Sequence, residues 1–96
     1  MNADDKYFYV IAYDISEDKR RNRVFKTLLG FGKWTQYSLF ECWLTKKQLL
    51  MLQSRLQRYL DAKVDSVRFY PLCMMDVSRV ETVGGEKPRE DRVYVI

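Results

Sequence analysis

Asp14 ends an apolar run, Tyr7 to Tyr13, and close behind it stand Lys19, Arg20, Arg21 and Arg23, with Lys26 following. One carboxylate beside a run of cations has two chemistries open to it. The carboxylate suits a hard divalent ion such as Mg²⁺ or Mn²⁺, which takes oxygen ligands and shares phosphate oxygens with a substrate. The cations suit phosphates. Both sets also have structural readings. An Asp in the turn Asp-Ile-Ser accepts backbone amides, and a charged helix face is commonly just solvated. Yet cations in the first turns of a helix oppose its dipole. Four of them ask for an anion, which either Glu17 and Asp18 or nucleic-acid phosphates would supply.

What the chain lacks narrows the chemistry. It contains no histidine, which excludes imidazole bases, His-paired nucleophiles and most zinc enzymes. Cys42 and Cys73 stand 31 positions apart without a CxxC, so they read as free thiols in a reducing compartment and not as a zinc or disulfide framework. Any hydrolysis must then use a carboxylate and a hard metal. A single carboxylate is few for such a site, and a two-fold dimer that brings two Asp14 residues together would supply the second. Without metal such a pair would repel, and one would keep its proton.

The elements that must position these residues follow from periodicity. Tyr7, Tyr9, Ile11 and Tyr13 alternate with Phe8, Val10, Ala12 and Asp14; a strand apolar on both faces is central and covered on both sides. Ser16 is the expected N-cap of a first helix, with Glu17 and Asp18 in its first turn. Val24, Phe25, Leu28, Leu29 and Phe31 form its apolar face, and Gly30 and Gly32 end it. The spacing puts Arg21 on that face, toward Asp14, with Arg20 at the border and Lys19 and Arg23 turned away. Lys33 to Leu44 reads as two antiparallel strands reversing near Ser38. Thr45 caps a second helix carrying Leu49, Leu52, Leu56, Tyr59 and Leu60, which ends near Asp61 to Lys63. Val64 to Leu72 is the last core strand, and Pro71 marks it as an edge. The order β-α-β-β-α-β predicts a ferredoxin-like α+β fold with a four-stranded antiparallel sheet.

Ninety-six residues suit one domain, with residues 1–73 as its core and 74–96 as a tail. In that tail Val93 to Ile96 reads as a short strand exchanged across a homodimer. The chain is 47% hydrophobic and 15% aromatic, which leaves apolar surface for a second copy. A net charge of +4 permits nucleic acid without demanding it. No apolar run approaches the ~18 residues of a membrane span, and MNADDK is no signal peptide, so a cytoplasmic location is expected. Tyr13, Tyr37 and Phe40 could stack bases. The segment FGKWTQYSLF lacks the ordered signature of an RNA-recognition sheet, and these rings read as core and interface packing.

Two segments, YDISEDKRRNRVFKTLLGFGKWTQYSLFECWL and DSVRFYPLC, resemble the small CRISPR-associated endoribonuclease family. Its members are ferredoxin-fold dimers that partner the spacer integrase in CRISPR adaptation, and the likeness covers Tyr7 to Cys73. The resemblance implies a homodimer in which Asp14 faces its symmetry mate and binds Mg²⁺. It implies metal-dependent cleavage of single-stranded RNA, and of duplex DNA in some members. It further implies a scaffold that sits between integrase dimers and holds pre-spacer DNA on basic surfaces. The family positions fall on Tyr13, Asp14, Arg21, Arg23, Ser38 and Phe40. Trp34 departs from the pattern, standing where many members carry Arg or Lys. The expected site is thus Asp14 as catalytic and metal-binding residue, Lys19, Arg20, Arg21, Arg23 and Lys26 on nucleic acid, and Tyr13, Ser38 and Phe40 in support. The alternative is a non-catalytic DNA scaffold bridging integrase dimers, in which Asp14 is dispensable.

Overall fold

The computed structural model describes residues 2–85. The chain runs through β1 (Tyr7–Asp14), α1 (Asp18–Leu29), β2 (Lys33–Gln36), β3 (Leu39–Leu44), α2 (Lys46–Gln57), β4 (Ser66–Leu72) and α3 (Met74–Ser78). The sheet has the order β2-β3-β1-β4 and is antiparallel throughout. This is the expected ferredoxin-like fold, with β1 inside and the proline-bearing β4 at an edge. β1 pairs with β3 from Tyr7↔Leu44 to Ala12↔Leu39, and with β4 from Phe8↔Leu72 to Asp14↔Ser66.

The two faces of β1 are used differently. Ile11 and Tyr13 pack with Phe40, Cys42 and Leu44 of β3 against Val24 and Leu28 of α1 and Leu52 and Leu56 of α2. On the other face Phe8 and its cross-strand partner Trp43 meet edge to face, centroids 5.0 Å apart. Burial in this core pushes the Cys42 thiol up to about 12, with the neighbouring Glu41 adding to the effect; Cys73 is exposed. Two cation–π contacts cross between the helical segments: Arg55 lies over Phe31 and Arg23 over Tyr59.

Several local expectations shift. The first helix is capped by Glu17 and not by Ser16. Its carboxylate accepts the backbone N–H groups of Arg20 at 2.8 Å and Lys19 at 3.2 Å, and the Arg20 amide foremost holds its pKa below the usual value. An anion at this end also complements the positive end of the helix dipole, which a serine hydroxyl does less well. Leu29 is half exposed, since it lies about 140° around the helix from Val24. The second helix starts as expected, with Thr45 and Gln48 forming a reciprocal capping box. It ends at Gln57, and backbone N–H groups of Tyr59 and Leu60 bonded to the Leu56 carbonyl carry the turn onward. β4 begins at Ser66, leaving Val64 exposed.

The tail holds a feature that its mixed composition hid. The short α3 packs against β1 and β4, and Val80 and Thr82 line a cavity with Val10, Leu39 and Glu41. The chain therefore covers part of the sheet face opposite the helices by itself. Val93 to Ile96 lies outside the described residues. Among those described, no helix is long and apolar enough to cross a membrane.

A buried ion pair ties α1 to the loop before β4. The Asp65 side chain is fully buried. It accepts Arg20 Nε–H at 2.7 Å, Arg20 Nη2–H at 3.3 Å and the Asp61 backbone N–H at 2.9 Å. The Arg20 bond first, and then the Asp61 amide, hold the Asp65 carboxyl below the ordinary range. Its contribution to stability is therefore complete above the unfolded value of about 3.9 and lost as pH falls through the lower folded value.

Two measurements check this architecture. A Cβ at Gly32 would collide with Cys42 Sγ, reaching 2.5 Å from the Glu41 carbonyl oxygen and 2.9 Å from Cys42 Cα. Gly32→Ala should cost ~1–3 kcal/mol in denaturant unfolding, the range for overpacking a filled site. An unchanged midpoint would mean that β2 does not lie so close. Asp65→Asn should lower the urea midpoint at neutral pH, and the gap to wild type should close as both are acidified below about pH 4. A gap that persists at low pH would assign the loss to packing.

Candidate active site

The end of β1 gathers the expected residues. Asp14, its last residue, is exposed and lies opposite Ser66 of β4. On the other flank the Tyr13 backbone N–H donates to the Ser38 carbonyl at 3.1 Å. That bond lies one step beyond the Ala12↔Leu39 pair and holds the Tyr37–Ser38 turn at the same end of the sheet as Asp14. Tyr13 itself turns toward the helices and is 7% exposed. Its ring lies 6.3 Å from that of Phe40. Burial pushes the Tyr13 pKa up, while Arg21 and a hydrogen bond with the Ser38 side chain draw it part of the way back. Tyr13 is therefore a neutral phenol at physiological pH. Phe40 is fully buried and 5.5 Å from Phe25. Tyr13 and Phe40 pack in the core behind this end of β1, and the Ser38 side chain joins Tyr13 to the turn.

The five cations fall into distinct environments. Arg21 Nη1 donates to the carbonyls of Ile15 at 2.9 Å and Ser16 at 3.3 Å, and its Nη2 is paired with Asp18. Arg21 thus straps the loop that leaves Asp14, close to where its spacing placed it. Its side chain keeps 39% exposure. Arg20 is turned inward to Asp65, with a second, longer pairing to Glu17. Arg23 is exposed but not turned away from the protein, since its guanidinium lies 5.6 Å from the Tyr59 ring centroid. Lys19 and Lys26 are exposed.

Sequence reasoning missed Asp65. A faint signal was present: Arg20 stands four before Val24 and eight before Leu28, on the same inward stripe. A cation there needs a buried acid, and only tertiary structure shows which one. Of the core and interface packing expected for the three rings, Tyr37 takes no part in the core, since it lies at 88% exposure.

The donor set bears on the metal. Among the described residues no three of His, Cys, Asp and Glu converge on one point. One chain offers the Asp14 carboxylate alone, which suits a hard ion completed by waters, substrate phosphates and a second carboxylate. On the sheet face opposite the helices, Val10 and Ala12 are only partly covered, and Arg68 and Tyr70 are exposed.

Comparison with known proteins places the chain in a family. The family described as CRISPR associated protein Cas2 matches residues 7–80. The CRISPR-associated endoribonuclease Cas2 3 of Synechocystis sp. is 44% identical over 82 residues, covering 85% of this chain and 88% of its own length. The crystal structure of Streptococcus pyogenes Cas2 aligns with a TM-score of 0.72 at 34% identity, over 80% of this chain and 99% of that one. A chain of a partial Cas6-RT-Cas1–Cas2 complex shares the fold, with a TM-score of 0.73 at 22% identity over 88% and 92% of the two chains. With a family match across most of its length and a relative this similar over nearly all of theirs, the chain belongs to the CRISPR-associated Cas2 family.

Proposed function

We propose that this chain is a homodimeric, nucleic-acid-binding subunit of CRISPR adaptation that cleaves phosphodiesters, with single-stranded RNA as its substrate and a divalent ion as its cofactor. The observation that carries this reading is the exposed Asp14 carboxylate at the end of the central strand, with Arg21 strapped to the loop beside it. Asp14 and the Asp14 of a second copy would hold Mg²⁺ or Mn²⁺. The ion would supply a lowered pKa for bound water and charge neutralisation at the phosphate. Lys19, Arg23 and Lys26 hold the strand by its phosphates, and the open edge of Arg21 orients the phosphate nearest Asp14. The buried Tyr13 phenol with Ser38, and Phe40 below them, keep the turn beside Asp14 in place. Arg20 acts on nucleic acid indirectly, by fixing α1 through Asp65. The dimer would use the sheet face opposite the helices and would dock the spacer integrase.

A scaffold reading has one observation in its favour: the exposed cations are held independently of Asp14. On that reading the dimer binds pre-spacer DNA for the integrase without cutting it.

Asp14 is exposed in the single chain, so Asp14→Asn should leave the fold intact, read as an unchanged circular-dichroism spectrum. It should bring Mg²⁺-dependent RNA cleavage down to background while duplex binding stays within about twofold of wild type. If wild-type protein cuts no RNA with either ion across a pH series, the enzyme reading fails and the scaffold reading stands. Replacing Lys19, Arg23 and Lys26 together by Ala should reduce the slope of log K against log salt by about two to three for duplex DNA. A slope equal to that of wild type would remove these residues from the phosphate contacts.

A further inference from the structure

Tyr37 stands at the tip of the β2–β3 turn. It is 88% exposed, more than any other aromatic residue described. It is also the described non-glycine residue with positive φ, at 45°. Glycine or asparagine takes that conformation readily; a bulky side chain resists it. The turn is nonetheless held firmly. The Tyr37 carbonyl accepts Trp34 Nε1–H at 2.8 Å, the Ser38 carbonyl accepts Tyr13 N–H at 3.1 Å, and Thr35 Oγ1 donates to the Leu39 carbonyl at 3.1 Å. Folding explains the turn but not the tyrosine in it. Its ring buries little, and its backbone conformation is one that a smaller residue would relieve. Strain of this kind collects where function needs a side chain held in place.

The position gives that side chain a task. Tyr13 N–H, one residue before Asp14, donates to the carbonyl of Ser38, one residue after Tyr37, so the turn that carries Tyr37 lies at the same end of the sheet as Asp14, on the opposite flank from Ser66. We propose that Tyr37 is a base-stacking residue: its ring takes one unpaired nucleobase of the strand whose phosphate lies at Asp14. The inference deepens the function proposed above and rests on it. An aromatic face accepts any base, so the contact carries little sequence preference. It does require a base free of its neighbours, which a duplex interior does not offer. Tyr37 would therefore favour single strands at a site whose cations bind any phosphate backbone. Stacking uses the ring and not the hydroxyl, so phenylalanine should serve as well.

The test uses the full chain and its Tyr37→Gly and Tyr37→Phe variants. The probes are a fluorescein-labelled oligouridine of about a dozen nucleotides and a blunt DNA duplex of similar length. Tyr37→Gly should melt at or above the wild-type temperature, because the strain is relieved. It should bind oligouridine about 5- to 150-fold more weakly, the range for one lost stacked base, with the salt slope and duplex affinity unchanged. Tyr37→Phe should bind like wild type. A scan of abasic nucleotides along the oligouridine should reveal one position that weakens wild type and leaves Tyr37→Gly unaffected. Wild-type binding of oligouridine with Tyr37→Gly binding equally well would overturn the stacking assignment and leave the nucleic-acid reading intact. Equal losses on RNA and duplex would overturn it too, as would unchanged RNA binding with loss of binding to a protein partner. Wild-type protein that binds neither probe would overturn the proposed function itself.

Discussion

β1 has to be an inner strand, and the rest of the structure follows from that. Its residues are apolar on both faces, and it pairs along both edges, with β3 from Tyr7 to Ala12 and with β4 from Phe8 to Asp14. An inner strand can end in a charge only where it leaves the sheet, and Asp14 stands at that end. The chain must then turn immediately into α1 to cover Ile11 and Tyr13. The start of α1 thereby arrives beside the carboxylate, bringing its arginines. The antiparallel pairing with β3 brings the Tyr37–Ser38 turn to the same end. A hydrophobic requirement thus gathers an acid, a basic helix start and an exposed ring without any of them attracting the others.

The cluster of cations carries an electrostatic cost that the fold meets from within. Helix N-termini disfavour positive charge. Glu17 caps α1 as an anion, Asp18 pairs with Arg21, and Asp65 takes Arg20. Asp65 reaches Arg20 across 45 positions of sequence. Removing the acid would leave the arginine poorly neutralised beside the core, so the pair matters more for where it holds α1 than for its net contribution to stability. Arg21, besides its pairing with Asp18, is oriented by the backbone carbonyls of Ile15 and Ser16. The result is a helix start in which the arginines are aimed by the protein and the lysines are left to solvent.

Much of this was legible in the sequence because it is local. Alternation along β1, the Thr45 cap, the reversal near Ser38 and Pro71 at an edge each depend on residues a few positions apart, and each stands as expected. What was not legible depended on distance or on competition between neighbours. Ser16 and Glu17 both make N-caps, and only the arrival angle of the chain decides between them. Arg20 and Arg21 differ by 100° around a helix, and without knowledge of Asp65 the border position of Arg20 could not be resolved. Tyr13, Tyr37 and Phe40 look alike in a list of aromatics, but alternation applies only within strands. Tyr13 and Phe40 obey it, and Tyr37 sits in the turn where it lapses. The short α3 escaped notice because five residues give too little periodicity to read.

The incompleteness of one chain connects these parts. Val80 and Thr82 shield one region of the sheet face opposite the helices, around Val10 and Glu41, while Asp14 at the strand's end remains exposed. Under the proposed function two such carboxylates would converge. Two like charges at short range oppose association until a cation or a proton neutralises them. Ion binding and dimerisation would therefore favour each other, as any ligand that binds only the associated form must. The same convergence would bring two strapped arginines and two exposed tyrosines around one ion. A single strand could then be gripped on both sides of one phosphodiester, although each chain contributes only one acid.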